Sequence, residues 1–468
     1  MSNDIQKKRK SSNDPKNMAK KEGLPKHLEH INLHAAGIDV GSTSHFVAVP
    51  EGSDETTVRQ FKSFTTDLNV LADWLKKCNI KTIAMESTGV YWIPVYEVLE
   101  DRGFDVKLVD ARQVKNVSGR KTDVLDCQWI QQLHTYGLLN AAFRPPEDIC
   151  ALRSYIRQRS MLIKNAGEHI QRMQKALMQM NLQLHHVVSD ITGTTGISII
   201  RAIVSGERDP AILAQQRDPR CKNSLDVIER ALMGHYRQEH LFSLRQALEL
   251  YDIYQQKIVD CDCAIEKKLL EFNPNSTYTE HREPSLQSNK KLSKNAPVFD
   301  LENQLLRLVG INLIEIPGIN SLTALSLIGE IGLDMSCWKN AKQFASWLGL
   351  CPGNKVSGGK RLSGRSKPSA NRAAAALRLA ASTLHRSSTA LGAYLRRLKA
   401  RLGPAKAITA TAHKLAKIIY NMLRNGIGYK EAGQEYYEQQ YRNRVIKGLQ
   451  QKAESYGFSL VEKVAAAT

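Results

Sequence analysis

The chain has 468 residues, 42% of them hydrophobic and 24% charged, with a formal net charge of +20. That length exceeds one ordinary core, so two or three domains are expected, and the composition is that of a soluble globular protein. No stretch approaches the roughly 18–20 apolar residues of a membrane span, which excludes a membrane-embedded class.

Residues 1–30 are polar and lysine-rich (Lys7, Lys8, Arg9, Lys10, Lys16, Lys20, Lys21) and lack the apolar run of a secretory signal. They are expected to form a disordered basic tail, with contact to nucleic-acid phosphates as a further role. Residues 31–143 then alternate strand-like and helix-like runs. "HAAGIDVGSTSHFVAVP" predicts two strands joined at a Gly-Ser-Thr turn, "VLADWLKKCN" a short amphipathic helix, and "KTIAMEST" a buried strand. "IPVYEVLEDRGF" predicts a helix ending at Gly103, followed by a strand in "DVKLVD". This is an α/β domain.

Arg144-Pro145-Pro146 closes it, and a helical region is expected over 144–271. Apolar residues recur at Leu152, Ile156, Ile163, Ala166, Ile170, Met173, Leu177, Met180 and Leu184, broken at Arg159, a heptad seam. A second long helix is expected around Leu244, Leu248, Tyr251, Ile258, Ile265 and Leu269. Such seams serve either an intrachain helical hairpin or an intermolecular coiled coil. Residues 272–300 are Ser/Asn/Pro-rich without periodicity and read as a linker or disordered insertion. From Leu301 a mainly helical domain is expected to about residue 430, with a helical tail over 431–468. In "IEIPGINSLTALSLIGEIG" a Pro-Gly turn, a cap at Asn320-Ser321 and an apolar helix have the form of a helix-hairpin-helix, which offers backbone N–H groups to DNA phosphates. The eight cysteines (Cys78, Cys127, Cys150, Cys221, Cys261, Cys263, Cys337, Cys351) form no CxxC pair. They read as reduced thiols of a cytoplasmic protein, with neither a disulfide framework nor a zinc site.

The charge is not spread evenly. From Met335 to Lys430 there is no Asp or Glu but 19 Lys and Arg, which leaves about +1 for the remaining 372 residues. Solubility does not require excluding carboxylates, whereas a polyanion-binding surface does, because neutralising phosphates releases counterions. Nucleic acid is the expected partner.

Four acids stand out by context. Asp39 lies within the apolar run Ala35–Val40, and Glu86 ends the apolar "TIAM". A charge is costly to bury, so acids at strand ends are placed to project into a site. Asp123 and Asp126 in "KTDVLDCQWI" share one face of a helix. Alone, each serves equally well as a cap or surface residue. In this order on an α/β domain they form the arrangement of an RNase H/RuvC-like nuclease, whose carboxylates hold hard divalent cations. Lys121 is placed to contact phosphate, or to be solvated. Within the acid-free block, Ser357 precedes Gly358-Gly359 and is surrounded by Lys355, Lys360, Arg361, Arg365 and Lys367. In isolation Ser-Gly-Gly is an ordinary flexible loop; in this context the glycines admit a phosphate and the basic residues would hold it.

Together these segments resemble the insertion-sequence 110/1111 family of transposases, which includes the Piv-type DNA invertases. "GIDVGST", "MESTGVYW" and "KTDVLD" carry the match over residues 35–135, and "IPGINSLTALSLIGEIG", "FASWLGLCPG" and "SGGKRLSGR" carry it over 311–385. The resemblance implies a RuvC-like catalytic domain, a central coiled coil and a serine-containing transposase domain. It implies that Asp39, Glu86, Asp123 and Asp126 bind Mg²⁺ or Mn²⁺ and that Ser357 is the nucleophile for cutting and rejoining DNA. Many relatives carry two serines where this chain has Val356-Ser357, and "GRSKPSANR" departs from the usual form, so Ser363 and Ser366 are lesser candidates. The expected partners are donor and target DNA, a structured bridge RNA and further copies of the chain in a dimer or tetramer. The expected setting is the prokaryotic cytoplasm, at the nucleoid. The alternatives are a RuvC-like nuclease using metal-activated water and an inactive nucleic-acid-binding relative.

Overall fold

The computed structural model describes residues 30–87, 89–110, 114, 122–273, 294–366 and 368–461, with only the backbone of Lys355 and Arg361. The basic tail, Lys121, Lys367 and most of the segment 272–300 lie outside the described residues. The chain divides into two compact units, Met1–Arg144 and Pro145–Thr468.

The first unit is mixed α/β. Its elements are β1 (Ala35–Val40), β2 (Ser44–Ala48), β3 (Val58–Lys62), α1 (Thr65–Lys77), β4 (Thr82–Glu86), α2 (Trp92–Asp101), β5 (Asp105–Val109) and α3 (Asp123–Thr135). The five strands form one sheet in the order β3-β2-β1-β4-β5. β1 is antiparallel to β2, and β2 to β3, while β1, β4 and β5 run parallel. β3 is not among the strands expected from the sequence. It is an edge strand in which only Phe61 is buried, so its period-two signal is weak.

Alternation along the central strands sorts the core onto two faces. Ile38 of β1 and Ile83 and Met85 of β4 pack with Leu71 and Leu75 of α1 and Leu99 of α2. Ala84 points the other way and packs with Val109 and Ile130 of α3. Gly37 faces α3 as well. A Cβ at Gly37 would stand 2.3 Å from the Gln131 backbone nitrogen and 2.5 Å from the Cys127 carbonyl oxygen, so only glycine lets the helix backbone lie this close. Gln131 Nε2 donates to the Ala35 carbonyl (3.3 Å), and His134 Nε2 is hydrogen-bonded to Thr82 Oγ1 (2.9 Å), fixing α3 lengthwise over β1 and β4.

The second unit is mainly helical. Two long helices, α4 (Glu147–Gln179) and, after the short α5 (Leu184–Val187), α6 (Thr194–Ser205), α7 (Pro210–Ala214) and α8 (Leu225–Leu232), α9 (Gln238–Glu271), pack along each other. The seam residues are used inside the chain: Leu162, Ala166, Met173 and Leu177 of α4 share a core with Leu244, Leu248, Tyr251 and Ile258 of α9. Of the two readings of the heptads, this arrangement is the intrachain pair. The break in the seam is not a gap, because Arg159 is buried there against Asp262 of α9, bonding both carboxylate oxygens and the Asn295 carbonyl.

Further on come α10 (Leu301–Val309), α11 (Ser321–Ile331), α12 (Ala341–Trp347), β6 (Lys355–Ser357), β7 (Lys360–Ser363), α13 (Arg372–Thr383), α14 (Ala390–Leu402), α15 (Pro404–Asn425) and α16 (Gln434–Ser455). Asn320 caps α11 by accepting from the Thr323 N–H at 2.8 Å, as the sequence leads one to expect. The C-terminal carbonyls of α11, Gly329 and Glu330, each accept a 2.8 Å hydrogen bond from Arg153 of α4. Among the described residues, no helix is long and apolar enough to cross a membrane.

Candidate active site

The acids are positioned by the sheet. In the parallel β1–β4 pair Ile38 is opposite Met85, so Asp39 and Glu86 are each one residue further on adjacent strands. Asp39 shares the face of Gly37, and Glu86 shares the face of Ala84, the side that α3 covers. Asp123 and Asp126 sit in the first turn of α3, which Thr122 caps by accepting from the Leu125 N–H. Carboxylates are stabilised there by the unpaired N–H groups of the helix start. Glu86 is buried, Asp39 and Asp126 are half-buried, and Asp123 is exposed.

The four are electrostatically coupled. Burial, and then the charges of Glu86, Asp123 and Asp126, push the Asp39 carboxyl up from 3.8 to about 6. This is the cost of gathering carboxylates around a partly buried member. Hard oxygen donors with excess negative charge fit a divalent cation, which would relieve that repulsion. Among the described residues, no three His, Cys, Asp or Glu side chains are drawn together into a ready-made ligand set. Burial, and then the charge of Asp39, push the Cys127 thiol on the same helix up to about 12.

The serine segment is a β-hairpin rather than a loose loop. β6 and β7 pair antiparallel with Ser357 opposite Lys360 and Val356 opposite Arg361, and a bulge separates Lys355 from Val356. Gly358 (φ 55°) and Gly359 (φ 75°) form the two-residue turn between them. Both have left-handed backbones, so this is the hairpin turn that glycine favours. Ser357 therefore ends its strand at the tip, exposed, with a hydroxyl that no described residue engages. Ser363, by contrast, accepts a hydrogen bond from the Arg365 N–H at 3.2 Å, and Ser366 is half-buried in a bridge with Pro352. Lys360 and Arg365 are exposed beside the tip. Among the described residues, no Lys or Arg between 339 and 430 forms an ion pair, whereas Arg153 and Arg157 of α4 both pair with Glu330.

Sequence reasoning missed the residues that place the acids: Gly37, which seats α3, and the buried His134–Thr82 bond that holds the helix to β4. A lone glycine inside an apolar strand was the available signal.

An acid-bearing α/β unit is followed by a helical unit whose basic segment forms no ion pair among the described residues, a charge distribution suited to a polyanion. Comparison with family models gives two matches. The DEDD transposase model of the IS110 group covers residues 36–182, and the transposase model of the IS116/IS110/IS902 family covers 311–396. The chain belongs to the IS110 family of transposases, and so to enzymes that cleave DNA and transfer strands. Membership of the DEDD group implies a divalent metal, commonly Mg²⁺. No curated protein matches it significantly.

Proposed function

We propose that this chain cuts and rejoins DNA through a serine nucleophile supported by a divalent cation. The observation that carries the reading is the electrostatic coupling of Asp39 to Glu86, Asp123 and Asp126. The order Asp, Glu, Asp, Asp along the chain is also that of the matched DEDD model. The strand order, with three antiparallel and three parallel members sharing β1, supports an RNase H/RuvC-like fold for this unit. The four carboxylates would hold Mg²⁺ or Mn²⁺, which supplies charge stabilisation at the phosphoryl oxygens and lowers the cost of forming an alkoxide.

The chain's own residues do the rest. The Ser357 hydroxyl, free at the hairpin tip, attacks phosphorus; a P–O bond to the DNA breaks, leaving a phosphoserine ester and a DNA hydroxyl that takes a proton. A hydroxyl of a second strand then attacks the ester and releases Ser357. The phosphodiester is conserved, so no ATP is needed. Lys355, Lys360, Arg361, Arg365 and, from the sequence, Lys121 and Lys367 bind the backbone phosphates. The wider acid-free block is a surface for donor and target DNA and for a bridge RNA. We further propose a kinship with Piv-type invertases, assembly as a dimer or tetramer, action in the cytoplasm at the nucleoid, and a helix-hairpin-helix role for α10 and α11. The domain plan follows the sequence: a tail to residue 30, the acid domain over 31–143, helices over 144–271, a linker over 272–300, the serine domain over 301–430 and a helical tail over 431–468.

The test is a cleavage assay on supercoiled plasmid bearing the element's ends, in Mg²⁺ and in chelator. Wild type should nick and join only with the cation; Asp39→Ala, Glu86→Ala and Ser357→Ala should each lose at least about a hundredfold in rate. Near wild-type cleavage by Ser357→Ala would instead establish a nuclease using activated water.

A further inference from the structure

Like charges are gathered at a second place in the chain, and there they are positive. Tyr394 and Arg397 share one face of α14, and Tyr437, Tyr441 and Arg444 share one face of α16. The Arg397 guanidinium lies 5.6 Å from the Tyr394 ring, 5.4 Å from that of Tyr437 and 4.0 Å from that of Tyr441. Lys414 Nζ of α15 lies 4.6 Å from the Tyr394 ring and 5.4 Å from the Tyr437 ring. Two half-buried cations on different helices therefore share the same two aromatic rings. Burial, and then the charge of Arg397, hold the Lys414 ammonium below its usual range; Glu431 opposes this and Arg444 adds to it.

The carboxylate that Lys414 senses is engaged elsewhere. Glu431 Oε1 accepts from the Ala390 and Gly433 N–H groups, both at 2.9 Å, and Oε2 accepts from the Tyr429 hydroxyl at 2.7 Å. Among the described residues, Arg397, Lys414 and Arg444 form no ion pair, and Arg397 Nε is buried without a hydrogen-bond partner. Anchoring α16 does not require this arrangement. The start of α16 is already held by Glu431 and by Gln434, whose Oε1 accepts from Arg396 Nη2 at 2.8 Å. One cation would tie the tyrosines down; a second on the same rings adds repulsion. A half-buried group of cations without a counter-ion calls for an anion, as gathered carboxylates call for a metal.

We propose that Arg397, Lys414 and Arg444 form a phosphate clamp, completed by α16, that grips the backbone of a bound nucleic acid. A phosphate offers several acceptor oxygens to cations converging from three helices, and a chain of phosphates also gains from counterion release. The tyrosine rings hold the guanidinium and ammonium in place beforehand, so little freedom is lost on binding. The inference rests on the reading that this chain handles nucleic acid, and adds a site in which the helical tail takes part. It makes no use of the acids or of Ser357.

The full-length protein is titrated in chelator against a labelled non-cognate DNA duplex and an RNA hairpin of equal length, over a range of salt. On at least one of them, Lys414→Gln and Arg444→Gln should each weaken low-salt binding about tenfold and reduce the logarithmic salt slope by about one. Lys414→Arg should stay within about twofold of wild type. Arg444 is exposed, so its variant tests the site without disturbing packing. Limited proteolysis follows α16, which should be cut no faster in these variants than in wild type. Slopes unchanged in both glutamine variants of a protein that still binds overturn the clamp alone. A slope that falls only where α16 is released to the protease overturns it too, and makes the cluster an anchor. A wild type that binds neither nucleic acid overturns the parent reading, and the clamp with it.

Discussion

Asp39 is held against its own preference. Its carboxyl titrates near 6 in the folded chain against an ordinary 3.8, so the native state takes up a proton more readily than the unfolded state between those values. Its contribution therefore turns increasingly unfavourable as pH rises through that window and stays so above it. In chelator at pH 8, Asp39→Asn should raise thermal stability by about 1–2 kcal/mol, after allowance for partial solvent screening, while strand transfer is lost. A lowered melting temperature would contradict the repulsion. His134 acts in the opposite sense. Burial, followed by the charge of Lys107, lowers its imidazole to about 4 from 6.5. The folded state keeps it neutral while the unfolded chain protonates, so stability is lost as pH falls from about 6.5 towards about 4. Urea midpoints should drop on this account by an amount corresponding to about 2 kcal/mol, and His134→Asn should flatten the slope over that range.

At the scale of elements, the long pair α4 and α9 buries an ion pair in an apolar seam. Arg159→Ala leaves Asp262 buried without its counter-charge and should cost about 3–5 kcal/mol. Replacing both, as Arg159→Met with Asp262→Leu, should recover most of it, measured by chemical denaturation. Equal losses in the single and double variants would show that the seam is held there by something else. The heptad spacing made the helices legible, but spacing cannot say which partner fills a seam or that Arg159, an apparent defect, is a buried ion pair. The strands bearing Asp39 and Glu86 were legible from apolar runs ending in an acid. β3 was not, because an edge strand with one buried residue has almost no periodic signal. Gly358-Gly359 was legible as a flexible joint only; pairing of the flanking residues makes it a hairpin turn that sets Ser357 at a tip. What escaped the sequence depends on distant contacts, above all the seat of α3 on Gly37.

Over the whole molecule, charge divides the labour: one segment holds 19 of the excess positive charges and the acids lie elsewhere. Binding of non-cognate duplex should fall by about a thousandfold between roughly 50 and 200 mM salt if about six phosphates are engaged. Lys360→Ala and Arg365→Ala should each reduce the logarithmic salt slope by about one. Unchanged slopes would place the phosphate contacts away from the serine hairpin. The most direct measurement for cutting and rejoining is to trap the protein on a nicked suicide DNA in Mg²⁺, digest the complex, and identify the modified peptide by mass spectrometry. A nucleotide esterified to Ser357, absent in chelator and in Ser357→Ala, is the expected result. Cleaved DNA with no covalent adduct, or an adduct on Ser363 or Ser366, would contradict it.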